Sequence, residues 1–286
     1  METFSEEIAH PTSVSIQKLS PFIGAEINGI DLSLPLTPAV IAELKSLLVQ
    51  HKVLFFRNQQ LKSKGFIRFA QSLGTTLEHP FKLEPEKGRP ESIKVFHTRE
   101  NPSKINSWHS DATYLQSPPD ATMLRVLKLP SLGGDTLFSN METAYDRLDE
   151  TTKAQIEDLV GIHDMWYFRE SLRKKGVPEA KLKALSEKYP LAYHPVVKQH
   201  PVSGRKCIFV NKGFTIGIQG MEEAESQPLL QKLFWTAWEP EVQCRFRWSP
   251  GAVAVWDNRS SQHYPVADYW PETRGMERIT IAMQDS

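Results

Sequence analysis

The 286-residue chain predicts an α+β fold in which a β-sandwich or jelly roll carries helices on its outside. Three observations lead there. Short strand-like segments dominate after about residue 93, one of them (VQCRFRW, 242–248) alternates cleanly between apolar and polar residues, and the 20 prolines fall mostly in connections. A doubly wound sheet would instead alternate strands and helices along the whole chain.

The first quarter reads as mixed α/β. Thr37 before Pro38 is a helix start, Thr as cap and Pro in the first turn. Val40, Ile41, Leu44, Leu47 and Leu48 then recur at helical spacing. VLFFR (53–57) follows as a short buried strand, and Ser63 is placed to cap a second helix carrying Phe66, Phe69, Ala70 and Leu73, which stops at Gly74. The later strand candidates are IKVFH (93–97), ATMLRVLKL (121–129), DTLFS (135–139), CIFVN (207–211), VQCRFRW, AVAVWD (252–257) and RITIAM (278–283). In VQCRFRW, Val242, Cys244, Phe246 and Trp248 face one way while Gln243, Arg245 and Arg247 face the other, as in a half-buried antiparallel strand. A charged, helix-rich insert spans about 141–190, and an amphipathic helix covers about 222–238. No internal repeat or low-complexity tract interrupts the pattern.

Composition excludes several classes. Lys plus Arg (34) balance Asp plus Glu (34), so no basic surface points to nucleic acid or to a membrane. The N-terminus METFSEEIAH lacks the apolar core of a signal peptide, and no run is long enough to span a bilayer. The two cysteines, Cys207 and Cys244, stand far apart, which argues for a reducing compartment and against a disulfide framework or a zinc knuckle. The expectation is a soluble cytoplasmic protein.

The stretch SWHSDATYL (107–115) carries the chemistry. On an extended segment, positions i and i+2 share a face, so His109 and Asp111 can reach one point. Two imidazoles and one carboxylate leave positions open on a non-haem Fe(II), as oxygen chemistry requires. Chance supplies roughly half of one His-x-Asp pair in a chain of this composition, and the alternative is a surface turn in which Asp111 caps its own backbone. A third ligand must come from elsewhere. His263 follows the strand AVAVWD and precedes Arg274 and Arg278. His194 and His200, each followed by Pro, read better as structural, and His97 and His163 have no carboxylate that improves on Asp111.

Together, NSWHSDATYL, PSLGGDTLFSN, HPVVKQHPVSGRKCIFVN and WDNRSSQHY followed by two arginines resemble the TauD/TfdA family of Fe(II)- and 2-oxoglutarate-dependent dioxygenases, taurine dioxygenase being the nearest type. The resemblance runs from about GAEINGIDL (24–32) to the final strand. It implies a single domain over 1–286, with a double-stranded β-helix (jelly-roll) core over about 93–286. It implies Fe(II), 2-oxoglutarate and O₂, with His109, Asp111 and His263 as iron ligands. Arg274, eleven residues past His263, matches the arginine that pairs with the distal carboxylate of 2-oxoglutarate, a job suited to a planar guanidinium fork. Thr136, in GGDT, matches the threonine that binds the same carboxylate.

For the substrate, the resemblance assigns Arg278 to an anionic group and His79, in EHPF, to the same group. Tyr114 and Phe214 fall at aromatic walls of the pocket, with ordinary core aromatics as the alternative. Asn106 matches a polar residue that meets a substrate amine. Lys82 departs from the pattern: HPFK stands where HPVY is expected, so a cation replaces a tyrosine. It either favours a second acidic group on the substrate or points to solvent. The implied reaction is hydroxylation of a small anion, taurine or a related alkanesulfonate, with release of an aldehyde and sulfite. Alkyl sulfates, phenoxyalkanoates and biosynthetic carboxylates are alternatives within the same chemistry. A zinc hydrolase or a non-catalytic jelly-roll binding protein are alternatives of another class, and the hydrolase leaves Arg274 and Thr136 without a role. A homodimer or homotetramer is expected from the family.

Overall fold

The computed structural model describes residues 14–78, 92–103 and 106–283. Strands β1 (Ser15–Lys18) and β2 (Ala25–Asn28) pair antiparallel, and helix α1 (Pro38–His51) leads into β3 (Val53–Phe56). Thr37 caps α1 as expected, its hydroxyl accepting from Val40 N. Helix α2 (Ser63–Leu73), β4 (Gly74–Leu77), β5 (Ile93–His97), β6 (Ala121–Lys128) and β7 (Thr136–Asn140) follow. Next come α3 (Met141–Asp146), α4 (Glu150–Ile156), β8 (Val160–His163), α5 (Trp166–Lys174) and α6 (Glu179–Lys188). The chain then continues through β9 (Ala192–Pro195), β10 (Val197–Gln199), β11 (Lys206–Ile208), β12 (Thr215–Ile218) and α7 (Glu223–Thr236). It closes with β13 (Gln243–Phe246), β14 (Val253–Asp257), β15 (Ser261–Pro265) and β16 (Arg274–Met283).

The largest sheet runs β1-β2-β3-β14-β6-β16-β4, with β5 also paired to β16, so strands from both ends of the chain share it. A second sheet, β13-β7-β15, is antiparallel throughout. Alternation along the central strands places their side chains in two cores. Leu54, Phe56, Val253 and Val255 pack outward under α1 and α2 with Leu44, Leu48, Phe66 and Phe69. Val53, Phe55, Ala254 and Trp256 face inward and meet Phe138 and Phe246 from the second sheet. Phe55 stacks on Phe246 at 3.9 Å between ring centroids. Buried on both faces, VLFF can be an unbroken apolar run. VQCRFRW keeps its alternation, with Val242, Cys244, Phe246 and Trp248 buried and both arginines exposed. A third core joins α3, α4 and α7 to β10 and β11.

Several local expectations change. Ser63 is the first residue of α2 rather than its cap, because its hydroxyl donates to the buried Glu277 carboxylate, which Arg125 also holds. Gly74 ends α2 as expected, but in extended backbone that opens β4 rather than in a left-handed turn. A Cβ there would lie 2.3 Å from the Ala282 carbonyl oxygen across the pairing with β16, so close sheet approach demands the glycine. The helix-rich stretch also holds β8, which pairs with β9 and β12; four residues, VGIH, are too few to display a strand period. The last strand begins at Arg274 rather than 278, and this places both arginines on one element.

Candidate metal centre

His109 is not within a strand. It forms a single antiparallel bridge with His263, each backbone N–H donating to the other's carbonyl, at 3.1 and 2.9 Å. A turn begins at once, and Ala112 has φ +52°. The bridge sets the two rings side by side, 4.2 Å between centroids, and the turn folds Asp111 beneath them. Asp111 Oδ1 lies 3.7 Å from His109 Nε2 and 3.8 Å from His263 Nε2. One ligand atom from each residue falls within 4.8 Å of the others, and all three residues are buried.

The surroundings leave those atoms ready for a cation. His109 Nδ1 lies 2.8 Å from the Ser107 carbonyl, so that nitrogen carries the proton and the Nε2 lone pair faces the cluster. Thr122 donates its hydroxyl to Asp111 Oδ2 at 2.7 Å, which turns Oδ1 toward the imidazoles. Burial, with His109 alongside, pushes the His263 pKa down to about 3, and burial lowers His109 too. Both rings are therefore neutral ligands at ordinary pH. Burial alone would raise the Asp111 carboxyl; Arg278, then His263 and His109, outweigh it and hold it well below the usual carboxylate range. Two neutral imidazole nitrogens and one carboxylate oxygen, with no fourth protein ligand in the cluster among the described residues, suit a metal that must also bind small molecules. Fe(II) fits these donors.

Two guanidinium groups flank the cluster from one face of β16. Arg274, Met276 and Arg278 point inward, while Glu277 points outward to Arg125. Arg274 donates through Nε to the Gly134 carbonyl at 3.0 Å and lies 3.5 Å from Thr136 Oγ1. Trp248 Nε1 donates to the same hydroxyl at 3.0 Å. Gly134 has φ +72°, and a Cβ on it would come 3.0 Å from Arg274 Cδ, so the second glycine of GGDT makes room for the arginine. Arg278 reaches Asp111 Oδ1 at 2.8 Å, and its buried Nε has no hydrogen-bond partner among the described residues.

Phe214 stands edge-on to His109 at 6.0 Å and tilted to Tyr114 at 5.2 Å, so the two aromatics form a wall beside the ligands. Tyr114 is buried and Phe214 half-buried. Asn106 is exposed. His79 and Lys82 lie outside the described residues. Trp108 packs behind the ligands against Tyr264. The remaining conspicuous histidines are engaged elsewhere: His194 Nε2 meets the Thr113 and Leu115 carbonyls, His163 meets the Thr113 hydroxyl, and His200 meets Asp257.

A family model described as "Taurine catabolism dioxygenase TauD, TfdA family" matches residues 15–280. The chain belongs to the TauD/TfdA dioxygenase family. Among similar proteins, an alkylsulfatase of Acinetobacter baylyi is 36% identical, over 99% of this chain and 88% of its own. An α-ketoglutarate-dependent sulfate ester dioxygenase of Pseudomonas putida is 34% identical, over 96% of this chain and 91% of its own. The crystal structure of a taurine dioxygenase from Burkholderia xenovorans superposes with a TM-score of 0.80 at 30% identity, covering 95% of this chain and 90% of that one. This TauD/TfdA enzyme is thus a dioxygenase that depends on α-ketoglutarate (2-oxoglutarate), with Fe(II) and O₂ as the family requires.

Thr122, Gly134 and Trp248 carry no separate signal in the sequence: Gly134 lies inside the GGDT motif, whereas Thr122 and Trp248 read only as strand residues. Among the described residues no helix is long and apolar enough to cross a membrane.

Proposed function

We propose that this enzyme, built on a double-stranded β-helix, hydroxylates the carbon next to a sulfate ester or sulfonate group, and that alkyl sulfate esters are its substrates. The observation that carries the reading is the pair of guanidinium groups on one face of β16, beside a buried N,N,O cluster. Two anion seats match two anionic partners, the cosubstrate and the substrate. Arg274, backed by Thr136, would hold the distal carboxylate of 2-oxoglutarate, and Arg278 the substrate's sulfo group. Iron loaded with 2-oxoglutarate supplies oxidative C–H hydroxylation, with succinate and CO₂ as co-products.

The chain's own contribution is placement. His109, Asp111 and His263 would hold the metal through two imidazole nitrogens and a carboxylate oxygen. Arg278 would fix the anionic head of the substrate, so that the adjacent methylene is held beside that cluster. Tyr114 and Phe214 would cover that carbon and exclude water. Hydroxylation of R–CH₂–O–SO₃⁻ gives a hemiacetal sulfate that loses hydrogen sulfate and leaves R–CHO; the sulfonate R–CH₂–SO₃⁻ gives the same aldehyde and hydrogen sulfite. The sulfate ester is favoured over taurine by the similarity to enzymes acting on sulfate esters and by Asn106, which is exposed.

The test is a panel of alkyl sulfates, alkanesulfonates, taurine and phenoxyalkanoates with Fe(II) and 2-oxoglutarate, following succinate, sulfate and sulfite. The expected result is succinate and sulfate in equal amounts with alkyl sulfates. Turnover of phenoxyalkanoates alone would overturn the substrate assignment.

A further inference from the structure

Asn258 lies in the short connection between β14 and β15, the segment that delivers His263, and it is 1% exposed. Its side chain does not face the metal cluster's open side. It crosses to the other ligand segment and takes hold of the backbone around Asp111. The Asp111 N–H donates to Asn258 Oδ1 at 2.6 Å, and Asn258 Nδ2 donates to the Asp111 carbonyl at 3.0 Å. Nδ2 also donates to the Pro119 carbonyl at 2.9 Å, and Asn258 N donates to the Asp120 carbonyl at 2.8 Å. The orientation of the amide is decided by its partners: an N–H needs an acceptor, and two carbonyls need a donor.

The clamp grips both peptide groups that flank the Asp111 Cα. That matters because the next residue, Ala112, sits in the left-handed region at φ +52°, which a side chain with a Cβ disfavours. Such a conformation persists only where neighbours over-determine it. Without the clamp, the turn that aims Asp111 at the two imidazoles has every reason to relax. A second tie runs between the same segments, Ser110 Oγ donating to the Ser261 carbonyl at 2.8 Å. The turn bearing Asn258 is itself anchored on the far side, where the buried Asp257 carboxylate takes His200 and Arg259.

We propose that Asn258 is a positioning residue for the metal site: its amide clamps the Asp111 peptides from the very turn that delivers His263, and so sets the spacing between the carboxylate and imidazole ligands. Only a primary amide of this length supplies both the acceptor and the donors. Aspartate keeps the acceptor and loses the donors, and alanine loses both.

The proposal rests on His109, Asp111 and His263 being the metal ligands, and its test separates the two. The full chain, stripped of metal, is titrated with Mn(II) alone, without 2-oxoglutarate, and free Mn(II) is read by electron paramagnetic resonance. Co(II) absorption reports the ligand geometry, and denaturant unfolding in chelator reports metal-free stability. Asn258→Asp and Asn258→Ala, folded, are expected to bind Mn(II) roughly 10- to 100-fold more weakly and to shift the Co(II) bands. His200→Asn, too short to keep the buried hydrogen bond to Asp257 on the far side of the same turn, is expected to lose stability while keeping its Mn(II) affinity within about threefold of wild type. Asp111→Ala is expected to lose Mn(II) binding. If it keeps it, the ligand assignment fails; if it loses it while the folded Asn258 variants bind as wild type, the clamp alone fails. Failure of both Asn258 variants to fold would make the clamp a folding determinant and equally overturn the positioning role.

Discussion

Two buried groups of histidine and aspartate lie in this fold, and they differ in what their atoms have left to bind. In one, His200 Nε2 donates to Asp257 at 2.9 Å, while its Nδ1 accepts from the backbone N–H groups of Val202 and Ser203. Asp257 also takes Arg259 through both oxygens. Every strong donor and acceptor is matched within the chain, which makes the group a structural tie. In the other, His109 Nε2, His263 Nε2 and Asp111 Oδ1 converge with their lone pairs toward one point, and among the described residues Arg278 is the only side-chain donor that meets Oδ1. Residue type and burial are the same in both; a shared direction of unspent lone pairs marks the ligand set.

Substitution of Asp111 should break the contrast most sharply. Asp111→Ala removes the carboxylate ligand, and succinate formation that depends on substrate should fall to background. Full activity in that variant would sink the assignment. Arg274→Lys keeps the charge and loses the planar fork, so the KM for 2-oxoglutarate should rise roughly 10- to 100-fold, corresponding to about 1.5–3 kcal/mol for hydrogen bonds to a charged group. A normal KM would remove Arg274 from the cosubstrate seat.

The structural group should answer in stability instead. His200→Asn keeps an acceptor for the Val202 and Ser203 N–H groups but is too short to reach Asp257, so the carboxylate is left short of a partner in the interior, a loss of about 3 kcal/mol in chelator. Denaturant unfolding measures it, and a loss of Mn(II) affinity larger than the loss of stability would erase the distinction between the groups. Acid sharpens the same point. Burial opposes the Asp257 charge, but His200 and Arg259 outweigh it and depress the pKa from 3.8 to about 2. A carboxyl with a lowered folded-state value stabilises the fold above its unfolded pKa. That contribution, about 2 kcal/mol, should be lost as pH falls from about 4 to about 2. Unfolding curves across that range should decline more steeply in wild type than in Asp257→Asn.

Local pattern made much of the chain legible. Helix α1 and its Thr37 cap, the alternation of VQCRFRW and the strands around 93–97 and 121–128 follow from rules that act over a few residues. Where a distant partner competes, the local rule fails. Ser63 turns from capping α2 to Glu277, 214 residues away, and Gly74 answers to a carbonyl across the sheet. His109-Ser110-Asp111 was legible as a pair, yet its geometry was not that of an extended strand. A bridge to His263 and a left-handed Ala112 bring Asp111 round instead.

By itself, the sequence determined the residue chemistry: two imidazoles and a carboxylate, an arginine eleven residues beyond the second imidazole, and a glycine pair before Thr136. Those motifs were enough to point to the family. The resemblance named His263 as the partner of His109 and Asp111, but only the tertiary structure shows how they meet, through a strand bridge between segments 152 residues apart. It alone decided that Arg274 and Arg278 share one face of β16, and that Asn258 closes its amide on the Asp111 peptides. The physical reason is the same in each case. A ligand set is a convergence of directions, and directions between distant segments are fixed by pairing and packing rather than by residue spacing.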